Sequence, residues 1–95
     1  MKLNVYSIYD KVANAYLQPF YINNDEMAIR AVKPLLLDDE HMFAQNPQDY
    51  CLYCLGSFDD SNGVFVSQSR SGPRNISLWN LAEVMRHYRR HFLHD

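Results

Sequence analysis

The residues best equipped for chemistry crowd one end of the chain. Between positions 70 and 95 stand five arginines (Arg70, Arg74, Arg86, Arg89, Arg90) and three histidines (His87, His91, His94), against two acids, Glu83 and Asp95. That stretch has a balance of +3, while residues 1–69 hold four Lys and Arg against nine Asp and Glu, a balance of −5. A near-neutral total of −2 therefore hides an acidic body and a basic tail. Guanidinium groups neutralise phosphates and release their counterions while reading little sequence. Arg86, Arg89 and Arg90, near the end of an expected helix, are the candidate phosphate contacts. Arg70 and Arg74 assist from the segment before it. Trp79 lies off the apolar stripe of that helix and is the candidate for stacking on a base. The plainer reading is a solvated arginine-rich face, since cations at a helix C-terminus add ~0.3–1 kcal/mol by dipole complementarity alone.

Two other clusters invite chemistry and lack its context. His87, His91 and His94 line one helical side, as metal ligands do, but among arginines and with no acidic second shell nearby in sequence. Cys51 and Cys54 form a CxxC pair, yet they fall on an expected strand, where an offset of three puts the thiols on opposite faces. There is no second pair for zinc and no helix N-terminus to stabilise a thiolate. Buried structural thiols are expected. Asp59–Gly63 lacks the spacing and terminal Glu of a calcium loop and reads as a turn. With no glycine-rich phosphate loop, nucleophile elbow or HExxH, the chain is expected to be no enzyme and to need no cofactor.

The elements that must position these groups follow from pattern. Residues 2–9 read as a strand, rich in β-branched and aromatic side chains. Tyr16–Ile22 reads as its antiparallel partner, demoted to an edge or a bulge by Pro19. Asn23 caps a helix whose apolar positions are Ala28, Ile29, Val32, Leu35 and Leu36, with Glu26 reaching back. Pro34 should kink or end it near Lys33, and Asp38–Glu40 should open a short continuation through Phe43. Asn46–Pro47 forces a turn. Tyr50–Phe58 is apolar on both faces and should be central. Asn62–Gly63 turns it into Val64–Val66, completing a hairpin. Residues 69–76 read as a polar linker. Ser77 caps a last helix through about Leu93, with Leu78, Leu81, Met85, Tyr88 and Phe92 as its apolar stripe.

The expected fold is therefore α+β: a small antiparallel sheet of about four strands with one packed helix and a C-terminal amphipathic basic helix. It forms a single domain, with a core over 1–68, the linker over 69–76 and the basic helix over 77–95. Ninety-five residues, 47% hydrophobic and with 13 aromatic side chains (seven Tyr, five Phe, one Trp), suit one modest core. No apolar run reaches the ~20 residues that span a bilayer, and the first residues lack a secretory h-region. A cytoplasmic protein with reduced thiols and no membrane partner is expected.

Several spaced words resemble a viral family. Met1 through Lys11, Pro19-Phe20-Tyr21, Asn24 through Arg30, and Asn46 through Tyr50 leading to Leu52-Tyr53 and Leu55 through Asp59 are similar to the small non-structural protein of gokushoviruses, single-stranded DNA phages of the microvirus family. The likeness covers roughly residues 1–66 and is less diagnostic beyond Ser67. It implies a protein of the bacterial host's cytoplasm, absent from the mature virion. It also implies a role in genome replication, at the switch to single-strand synthesis and packaging, by binding DNA. Single-stranded DNA is the expected partner. A homodimer, built through the last helix unless that helix covers the sheet, would double the arginine patch. The alternative is a protein-interaction module, a homodimer or adaptor that engages a host or phage replication protein.

Overall fold

The computed structural model describes residues 1–68, 72–76 and 80–92, with side chains as far as Arg86. Two long strands form its spine. Strand β1 (Lys2–Asp10) pairs antiparallel with β4 (Tyr50–Asp59) from Lys2 opposite Asp59 to Asp10 opposite Tyr50. The outer edge of β1 carries β2 (Ala15–Tyr16) and β3 (Phe20–Ile22), and that of β4 carries β5 (Val64–Ser67) and β6 (Arg74–Asn75). The fold is α+β, as the sequence indicates, and β4 is central. The two flanking columns are each broken in two, which makes six strands among the described residues where about four are expected.

The breaks have local causes. Pro19 has no N–H, and Leu17–Pro19 leaves the ladder between β2 and β3. The fully buried Ser7 hydroxyl donates to the Leu17 carbonyl at 2.6 Å, and Leu17 N–H donates to Ile8 O at 2.8 Å, so the excursion is satisfied. Between Val5 and Tyr6 the register slips by one residue of β4. Gly56 sits at that bulge with φ 158°, where a Cβ would lie 2.3 Å from the Val66 carbonyl oxygen. Part of the expected polar linker is a strand instead, with Arg74 opposite Cys54 and Asn75 opposite Tyr53.

The helices differ from expectation at their ends. α1 (Asp25–Leu37) is capped by Asn24, whose side chain accepts from Met27 N–H, one residue later than predicted. It runs through Pro34 rather than ending at Lys33. Ala28, Val32 and Leu36 recur every four residues and are all buried, and the burial of Leu36 beyond the proline offsets the lost Arg30 carbonyl bond. The acidic run does not open a helix. α2 (Met42–Gln45) begins after His41, whose Nδ1 accepts from Phe43 N–H. A 3₁₀ turn at Pro47–Asp49 leads into β4. α3 (Leu81–Phe92) is capped by Asn80, which accepts from Glu83 N–H at 3.3 Å. The predicted cap Ser77 lies outside the described residues.

One core joins these elements. Tyr6 and Ile8 of β1 and Tyr50, Leu52 and Cys54 of β4 face Ala28, Val32, Leu36, Phe43, Leu81 and Met85 of the helices. Leu81 is completely buried, so α3 covers this core rather than standing apart as a tail. The helices thus pack on one face of the sheet. Among the described residues, no helix is long and apolar enough to cross a membrane.

Candidate nucleic-acid interface

The predicted arginines are not a single cluster of open cations. Arg74, on β6, forks onto Asp25 in the first turn of α1, with Nη1 donating to Oδ2 at 2.9 Å and Nη2 to Oδ1 at 3.0 Å. The Tyr6 hydroxyl donates to the same Oδ1 at 2.6 Å and accepts from Asn4 Nδ2 at 2.8 Å. This chain of groups ties β1, α1 and β6 together. The Arg74 fork and the Tyr6 hydroxyl hold the Asp25 carboxyl below its ordinary range, and burial together with Asp25 pushes the Tyr6 hydroxyl up. Arg74 is thereby a structural clamp, still half-exposed on one side. Arg86, on α3, meets Glu83 at 2.7 Å in an i,i+3 pair and is 66% exposed, so a phosphate can compete for it.

Arg89 and Arg90 fall on α3 three and four residues after Arg86, but their side chains, like those of His87 and His91, are not described. Arg70, Trp79 and His94 lie outside the described residues altogether.

A surface that the sequence reading did not single out stands on the sheet face opposite the helices. Period-two alternation places Leu3, Val5, Ser7 and Tyr9 of β1 there, with their cross-strand partners. Tyr9, Tyr16 and Tyr53 meet edge to face, with centroids 4.9, 5.7 and 6.3 Å apart. Tyr21 and Phe58 reach across β1 to within 5.6 Å, which leaves Val5 only 2% exposed beneath them. Phe65 stands opposite Phe58 on β5. Six aromatic rings among the described residues thus share one face, of which Tyr16, Tyr21 and Phe65 are 43–55% exposed. Lys11, just beyond β1, reaches the Cys51 thiol from this side. The signal was present as strand alternation, but an aromatic in a strand reads as core until it is known which face the helices take.

The CxxC residues behave as structural thiols. Cys51 and Cys54 are buried at 1% and 3% exposure, form no disulfide, and lie on opposite faces of β4. Burial pushes the Cys51 thiol up despite the nearby Lys11, which disfavours a reactive thiolate. Among the described residues, no group of three or more His, Cys, Asp or Glu could hold a metal ion.

A family model described as "Phage ORF5 protein" matches residues 3–84. No curated protein and no solved structure gives a significant match.

Proposed function

The chain belongs to the phage ORF5 protein family, and from that premise we propose that it is a non-enzymatic, non-structural protein that binds single-stranded DNA during viral genome replication. The phage in this reading is a gokushovirus-like microvirus, and the protein works in the host cytoplasm, outside the mature virion, at the switch to single-strand synthesis and packaging. The observation that carries the DNA-binding reading is the aromatic sheet face. Exposed rings on an antiparallel sheet offer the flat apolar surfaces on which unpaired bases stack, at about 1–3 kcal/mol per base. Stacking needs no sequence readout, which suits a protein that coats whatever genome it meets. The arginines of α3 belong to the helix layer on the other side of the sheet, so they offer phosphates a second, separate surface rather than contacts to a strand stacked on the rings, and the acidic body confines the footprint to these two surfaces.

A second reading, an adaptor for a replication protein, is favoured by the ion pairs that already engage Arg74 and Arg86. Fluorescence anisotropy with a labelled single-stranded oligonucleotide, at low and near-physiological salt, separates the two. The DNA reading expects salt-sensitive binding that weakens at least tenfold both in Arg86/Arg89/Arg90→Glu and in Tyr16→Ala/Tyr21→Ala. Absence of binding at low salt overturns it and leaves the adaptor reading.

A further inference from the structure

We propose that β5 is a self-pairing edge, through which two copies of this chain join their sheets about a twofold axis at Phe65. Strand β5 closes one side of the sheet, and among the described residues no strand pairs with its outer edge. Native edges of this kind are usually guarded by lysine, proline or a bulge. Val64-Phe65-Val66-Ser67 has none of these, and Val64, Phe65 and Val66 are 51%, 50% and 55% exposed.

The hydrogen-bond phase identifies the groups that are presented outward. Gln68 N–H donates to Leu55 O at 2.9 Å, and all pairs of this hairpin share that register. Alternation then turns the backbone of Val64 and Val66 toward β4 and that of Phe65 and Ser67 toward solvent. Phe65 therefore offers an outward N–H and C=O at the centre of the strand.

The occupant follows from the sequence of the strand. Val64-Phe65-Val66 reads the same in both directions. An antiparallel copy centred on Phe65 exchanges both Phe65 backbone bonds with its mate. It sets Phe65 against Phe65 on the aromatic face and Val64 against Val66 twice on the other. These β-branched and aromatic cross-strand pairs are the favourable ones. The same register puts the Asn62–Gly63 turn beside Ser67 and Gln68, so no like charges meet. An isologous contact of this type closes at two copies, unlike a head-to-tail edge, which continues into a fibre. The product is one continuous sheet whose aromatic face runs through both copies.

The test is sedimentation of the purified full chain over a broad concentration series, without DNA, so that failure of the DNA reading does not touch it. Wild type is expected to shift from 11.2 kDa toward twice that mass as concentration rises. Val66→Lys, at a solvent-facing side chain, is expected to remain monomeric with an unchanged circular dichroism spectrum. A second variant reads the register. Phe65→Cys is expected to form an intermolecular disulfide under mild oxidation, whereas Val12→Cys, 77% exposed beyond the far end of β1, is not. Wild type that stays monomeric throughout, a dimer unaffected by Val66→Lys, or cross-linking at Val12 as fast as at Phe65 overturns the proposal.

Discussion

At the scale of single residues, Asp25 is the most consequential side chain described. It is a first-turn helix residue, the acceptor for Tyr6 and the anchor of Arg74 at once. Its carboxyl is held below the ordinary value of 3.8, chiefly by Arg74. A lowered folded pKa contributes stability that is present above the unfolded value and is lost as pH falls through the folded one. Asp25→Asn is therefore expected to cost about 1 kcal/mol at neutral pH, a figure kept small by the exposure of the pair. Its deficit relative to wild type should shrink as the pH drops below about 4. Urea unfolding at pH 7 and pH 3 checks both. Arg74 shows how much of a charged residue's setting lies outside its local composition: that composition points to phosphate, and its β6 position also puts it beside a carboxylate 49 positions earlier.

At the scale of elements, the fit between pattern and structure depends on how local the cause is. The β4–β5 hairpin, the Pro19 interruption and the apolar stripe of α1 arise from neighbouring residues and were legible. Helix ends were less so, because Asn23 and Asn24 are equally good caps in isolation and only packing decides between them. That Pro34 does not end α1 has a related reason: its local penalty is visible in the sequence, but the burial of Leu36 on the far side, which carries the helix past it, is a tertiary fact. The bulge at Gly56 was invisible, since nothing nearby shows that the Val66 carbonyl will approach it. Gly56→Ala places a Cβ against backbone that cannot turn aside, and is expected to destabilise by about 3 kcal/mol in chemical denaturation. Gly63→Ala, with open space around it, bears only the strain of φ 75° and should cost less, about 1 kcal/mol.

At the scale of the whole molecule, the acidic body and basic tail are contiguous in space as well as in sequence, because α3 buries Leu81 and Met85 in the same core as the sheet. Leu81→Ala should therefore lower the stability of the entire domain by about 3 kcal/mol and leave a single unfolding transition, rather than loosening a tail. Thermal unfolding followed at both 222 nm and the aromatic band would show coincident curves. The charge division of the molecule was legible in the sequence, and so was the α+β class. The aromatic face was not, because both faces of β4 are apolar and only the placement of the helices distinguishes inside from outside.

The pairing of β1 with β4 has a further consequence, in time rather than space. During synthesis β1 and α1 emerge first, yet the strand that buries Tyr6 and Ile8 arrives only with Tyr50–Asp59. Until then no antiparallel partner of full length exists, and the apolar stripe of α1 has only half of its floor. Such distant pairing slows folding, so a nascent chain of this phage protein spends its vulnerable interval waiting for β4.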